Sequence, residues 1–168
     1  MNKKILSVAV YGLLLAVAFA FSFMEVLIPF NLGIPGVKLG LANLVVVVML
    51  ACLPWQGALT VSVLRILLSG LLFSGPSGML YALAGGLCSF AVMALLLRCR
   101  YFSLFGVSMA GGLAHNFGQL AVAIWVTQTA RIVWYLPVLI ISGVITGALI
   151  GLAASLIIPR LPKRFLIN

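Results

Sequence analysis

One acidic side chain, Glu25, and no aspartate occur in the 168 residues of this chain. That scarcity excludes whole classes of chemistry. Sites for Mg²⁺ or Ca²⁺ draw on several carboxylates, and hydrolysis by paired carboxylates needs two. His115 is the only histidine, so the chain offers no nucleophile with both a base and an orienting acid. The three cysteines, Cys52, Cys88 and Cys99, show neither metal nor redox spacing and read as small apolar packing residues. No nucleotide-binding loop is present. The expectation is therefore a protein that is not an enzyme, with no catalytic residues, no metal and no cofactor.

What the chain has in abundance is apolar sequence. It is 65% hydrophobic and 7% charged, with a mean hydropathy of +1.34. Crossing a hydrocarbon core takes roughly 20 apolar residues of helix. Runs such as Val45-Val46-Val47-Val48-Met49-Leu50 are apolar on every face, which fits helices better than the alternating strands of a membrane barrel. Reading these runs against Pro, Gly and charged breaks predicts six membrane spans: Ile5–Ile28, Leu39–Leu53, Gly57–Leu72, Met79–Leu97, Phe105–Trp125 and Trp134–Ile158. Connections are short, so residues 1–168 are expected to form a single transmembrane domain, a monomeric all-α bundle.

The basic residues set its orientation. Lys3, Lys4, Arg98, Arg100, Arg160, Lys163 and Arg164 fall on one side, Lys38 and Arg131 on the other, and Arg65 inside a span. The positive-inside rule then places both termini in the cytoplasm. The net charge of +9 reflects this bias and contact with anionic lipid. It does not point to nucleic acid, because no basic domain lies outside the membrane. Lys3-Lys4 followed by an apolar run imitates a signal peptide, but the run continues to Ile28, longer than a signal core, so a retained helix is expected.

Ionisable and amide groups inside apolar spans need partners or a ligand, since burying them bare costs several kcal/mol. Arg65 and the run Gly111-Gly112-Leu113-Ala114-His115-Asn116-Phe117-Gly118-Gln119 are the leading candidates. His115 and Gln119, four apart, share a helix face, while Asn116 points about 100° away. Helical rise puts Arg65 and His115 at comparable depths, about 12 to 16 Å from the cytoplasmic ends of their spans. They could line one cavity or form an internal network in which Arg65 pairs with Gln56 or Glu25. Between the first two spans, Pro29 to Gly40 reads as a shaped external loop. Glu25, Lys38 and Asn43 form a polar constellation around it. The candidate substrate-binding residues are Lys38, Asn43, Arg65, His115, Asn116 and Gln119. Their basic excess points to an anionic or carbonyl-rich ligand.

Small residues recur at four-residue spacing in two spans: Gly12, Ala16 and Ala20 in the first, and Gly143, Gly147 and Gly151 in the last. Each series lies on one helix face and permits close backbone approach. The last series reads as packing within the bundle. The first is either internal packing or a docking surface for another membrane protein.

The stretch Gly36-Val37-Lys38-Leu39-Gly40-Leu41-Ala42-Asn43-Leu44, with Gly111 to Leu120, resembles the bacterial membrane family called Gx transporter, also labelled heptaprenyl diphosphate synthase component I. That family is similar in turn to the substrate-capturing S components of energy-coupling factor (ECF) vitamin transporters. The resemblance implies six helices, cytoplasmic termini, residence in the bacterial cytoplasmic membrane and a site beneath the first external loop. It also implies a small-residue stripe on the first helix that docks a coupling subunit and its ATPases, which Gly12, Ala16 and Ala20 match in spacing. The expected function is capture of a small vitamin-like or isoprenoid-precursor molecule for uptake. The alternative is a membrane component associated with heptaprenyl diphosphate synthase. It would be non-catalytic, because prenyl elongation holds Mg²⁺ on aspartate-rich motifs that this chain lacks.

Overall fold

The computed structural model describes residues 3–27, 39–99 and 101–162. Among them every regular element is helical: α1 (Lys3–Leu27), α2 (Leu41–Cys52), α3 (Trp55–Ser69), α4 (Gly75–Cys99), α5 (Leu104–Thr127) and α6 (Leu136–Ile157). A π-helical segment, Gly70–Ser74, joins α3 to α4, and short 3₁₀ turns flank α6 at Ala130–Tyr135 and Ile158–Arg160. Each predicted span corresponds to one α-helix within a few residues. Three helical stretches, Ser7–Leu27, Trp55–Cys99 and Ala130–Arg160, are long and apolar enough to cross a membrane by length and composition.

Trp55–Cys99 is an unbroken run of helical residues, yet it is not one rod. The Cβ positions built on Gly70 and Gly86 lie 2.6 Å from Met79 Cβ and 2.8 Å from Ile66 Cδ1. Residues 66 and 86 would stand about 30 Å apart along a straight helix. The chain therefore reverses between α3 and α4. Gly75 makes the reversal, with φ 71 and ψ 172, a conformation an L side chain resists. Pro76 follows in the first turn of α4, where its missing N–H costs nothing.

Glycines also set the packing of the last three helices. A Cβ on Gly118 would stand 2.6 Å from the Ala84 carbonyl, and one on Gly151 would stand 2.9 Å from Phe105 Cα. One on Gly111 would stand 2.6 Å from Met93 Cγ, and one on Gly112 would meet the Gly143 carbonyl. These pairings run in opposite chain directions, so α5 lies antiparallel to both α4 and α6, backbone against backbone. The Gly143, Gly147 and Gly151 series is thus the α6 face that receives α5. Ser103 caps α5 by accepting the Gly106 N–H at 3.2 Å.

The core centres on α2, which touches α1, α3, α4 and α6. At 12 residues it is about 18 Å long, the shortest of the six α-helices, and eight of its residues are buried. The outer surface is the opposite of a soluble protein's. Leu13, Leu71, Leu95, Ile141 and Trp134 are exposed, Trp134 by 88%. Among the described residues the buried polar ones are Arg65 and the six serines 22, 62, 69, 89, 108 and 142. Apolar groups outside and small polar groups between helices are what a hydrocarbon solvent selects.

The small-residue series of α1 behaves differently from that of α6. Gly12, Ala16 and Ala20 are all exposed, and no atom lies within 4 Å of a Cβ built on Gly12. Nothing in the described bundle covers that face.

Candidate functional site

A cavity of about 70 Å³ lies between α1, α2, α3, α5 and α6, with Ala82 of α4 also on its wall, and extends to the π-helical segment. Its wall takes Asn43 from α2, Arg65 from α3, and His115, Asn116 and Gln119 from α5. The structure therefore brings five of the six predicted binding residues together. The sixth, Lys38, lies outside the described residues. The depth estimate also holds: Arg65 and His115 stand about 15 and 16 Å along α3 and α5 from their first residues. A smaller void of about 20 Å³ adjoins, sharing Gly40, Asn43, Gly112 and Thr146.

Glu25 joins the same wall. It sits near the end of α1, and its Oε1 accepts the Leu41 N–H at 2.6 Å. A carboxylate there satisfies one of the orphan donors at the start of α2 and lies at the positive end of that helix's dipole. Gly40, φ 77, turns the chain into α2 immediately before this contact.

Arg65 is 8% exposed. Its Nη1 donates to Ser22 Oγ at 3.4 Å, and Ser22 in turn donates to the Ala18 carbonyl at 3.1 Å. The Glu25 carboxylate favours the guanidinium electrostatically. Gln56, the other partner proposed from sequence, is exposed at the start of α3, nine residues and about 13 Å of helix away, and does not serve. Arg65 Nε is buried and makes no hydrogen bond among the described residues.

Glu25 also changes the electrostatics that the sequence implied. Among the described lining residues one carboxylate, Glu25, stands with one guanidinium, Arg65; Lys38 lies outside them.

Asn116 does two things. Its Nδ2 donates to the Leu139 carbonyl at 2.7 Å and to Ser142 Oγ at 3.3 Å, tying α5 to α6. With both amide hydrogens engaged, Oδ1 is the group left for the cavity. The 100° offset from His115 and Gln119 is what lets one helix both line the space and grip its neighbour.

Sequence reasoning missed Ser22, Ser69, Phe73, Ser74 and Thr146, all on the wall. Helical spacing carried part of the signal: Arg65, Ser69 and Phe73 repeat every four residues. Ser74 joins that face because the π-helical turn holds an extra residue. Phe73 is held by Phe19 and Phe23 of α1, ring centroids 5.5 and 5.7 Å away.

Residues 14–157, most of the chain, match the family described as heptaprenyl diphosphate synthase component I. The chain belongs to that family. No match was found among curated proteins or among solved structures. The match runs from the middle of α1 through the end of α6, so every described wall residue of the cavity falls within the family's span. Among the described residues no group of three or more His, Cys, Asp or Glu side chains comes together.

Proposed function

We propose that this member of the heptaprenyl diphosphate synthase component I family is a membrane-embedded, non-catalytic binding protein that captures a small polar solute in the cavity between α1, α2, α3, α5 and α6. One observation carries the reading. Five helices direct ionisable, amide and hydroxyl groups into one space inside a bundle whose exterior is apolar. Groups so placed in a membrane protein mark substrate pathways or sites.

In this reading the six helices span the bacterial cytoplasmic membrane with both termini inside, as the basic residues at their ends imply. The reading takes the chain to work as an S component of an energy-coupling factor transporter does. Active uptake would then draw on a separate coupling subunit and ATPases, docked on the exposed Gly12, Ala16 and Ala20 face of α1. Native mass spectrometry of the full chain released from its own membranes tests the proposal: a retained solute of small mass is the expected result.

The family description favours a second reading, in which the chain is the membrane partner of a soluble prenyl diphosphate synthase. That partner would supply the acidic metal-binding motifs that one glutamate cannot. Capture of the soluble subunit, with no small solute in the mass spectrum, would establish it instead.

A further inference from the structure

The buried serines fall into two sets. Ser22, Ser69 and Ser142 each donate to a carbonyl of their own helix, at 3.1, 3.0 and 3.1 Å. Ser62, Ser89 and Ser108 make no side-chain hydrogen bond among the described residues. Two of these three border the same space. Ser89 of α4, 2% exposed, and Ser108 of α5, 3% exposed, both line the void of about 20 Å³ beside the larger cavity. Asn43 and Thr146 complete its polar lining, and the remainder is glycine and apolar side chains such as Val47, Met93 and Ile150. Thr146 gives its proton to the Ser142 carbonyl at 2.8 Å and so presents lone pairs.

We infer that this void is a built water site, in which one ordered water bonds to Ser89 and Ser108 and forms the floor of the larger cavity. Size selects the occupant first. One water needs roughly 10 to 15 Å³ of such space and two to four polar partners. The void offers about 20 Å³ and four hydrogen-bonding side chains. Chemistry narrows the choice further. No carboxylate and no cationic side chain stands on the described wall, so an ion of either sign would lack a counter-charge. An apolar group would leave both serine hydroxyls bare where no bulk water can reach them. A water both donates and accepts, as each serine does. Asn43 and Thr146 belong to both walls, and Ser108 stands seven residues, about 10 Å, nearer the start of α5 than His115. The water therefore carries the polar lining of the cavity deeper into the bundle. The site stands whether or not the larger cavity takes a solute.

X-ray hydroxyl-radical footprinting of the full-length chain in detergent tests it. Radiolysis makes radicals from bound water in place, beyond the reach of a scavenger in the bulk. Met93 and Met49 are 2% and 0% exposed, so both are shielded from bulk solvent, but Met93 lines the void and Met49 lines neither space. Oxidation to the sulfoxide, read by mass spectrometry, is expected to be several-fold faster at Met93 than at Met49. Replacing both serines, Ser89→Ala with Ser108→Ala, leaves a mainly apolar void of the kind that stays dry. Met93 is then expected to slow to the rate of Met49. Equally slow oxidation of the two methionines in the parent chain overturns the inference, and so does fast oxidation of Met93 that survives the double replacement. The first comparison uses the parent chain alone, so it decides even if the double variant fails to fold.

Discussion

The Glu25 carboxylate accepts the Leu41 N–H at 2.6 Å, fastening the end of α1 to the start of α2. The same carboxylate acts on Arg65, which donates to Ser22, one helical turn before Glu25. Three helices are thus held at one depth by a chain of polar contacts that begins with the protein's only acid. In hydrocarbon each link depends on the others, because none of these groups can turn to bulk water.

Arg65→Leu is therefore expected to cost about 1 to 3 kcal/mol, because the half-buried Glu25 carboxylate loses the guanidinium that acts on it. Adding Glu25→Gln, whose amide oxygen still accepts the Leu41 N–H, should recover at least about 1 kcal/mol. Thermal melts of the single and double variants measure this coupling. Strictly additive losses would show that the two groups do not depend on each other, and rescue with unchanged ligand affinity would reduce the pair to a structural role.

Two Gly→Ala substitutions should have opposite signs. At Gly118 the new Cβ would stand 2.6 Å from the Ala84 carbonyl and 2.9 Å from its carbon, both backbone atoms that side-chain rotation cannot move. A loss of about 1 to 3 kcal/mol is expected as α4 and α5 are forced apart. At Gly12 there is open space, and Ala is expected to be neutral or to stabilise α1 by up to about 1 kcal/mol. Equal effects in detergent melts would contradict the close α4–α5 contact.

The helices were legible in the sequence because apolar runs end at Pro, Gly or charge, and those breaks survive tertiary packing. Arg65, His115, Asn116 and Gln119 were legible for a similar reason: polar groups within such runs demand an explanation. Serine and threonine send no such signal. Their hydroxyls bond back to helix carbonyls, as at Ser69 and Thr146, so they sit in apolar helices at little cost. The charged pair on the wall was hidden too. Glu25 and Arg65 are forty positions apart, and only the parallel course of α1 and α3, with Tyr11 at Gly57 and Ser22 at Arg65, puts them on one wall. Lys38, which weighted the sequence reading toward an anion, lies outside the described residues.

Asn116→Asp should separate anchoring from ligand contact. A carboxylate cannot donate to the Leu139 carbonyl, and it would face that oxygen at the 2.7 Å now closed by the amide. The expected cost is about 1 to 3 kcal/mol: the Leu139 carbonyl keeps the Ser142 hydroxyl as a donor, but a carboxylate now stands against oxygen acceptors where an amide donated. The measurement is a thermal melt beside the parent chain. An unchanged melt would show that Asn116 does not tie α5 to α6.

The proposed orientation predicts which ends of α6 meet which solvent. Arg131, in the 3₁₀ turn before α6, and Arg160, in the turn after it, are both exposed and separated by the whole helix. In a background without Cys52, Cys88 and Cys99, a cysteine at 131 should react with an impermeant maleimide in intact cells, and one at 160 only after lysis. Reaction of both in intact cells would refute cytoplasmic termini.

The exposed stripe on α1 makes the last prediction. Gly12, Ala16 and Ala20 present a smooth, shallow strip flanked by Leu13 and Val17, and none of the three is needed to fill the described bundle. Lipid tails would cover that strip as well as protein does, so exposure alone does not distinguish them. A bulky side chain does. Ala16→Trp points into lipid if the strip has no partner and should then change nothing, whereas a helix packed there needs the small residue to come close. Under the proposed transporter-like assembly, the variant should melt like the parent chain yet lose the membrane subunits that copurify with it. Copurification that survives Ala16→Trp would remove α1 as the docking helix and leave its stripe to the bilayer.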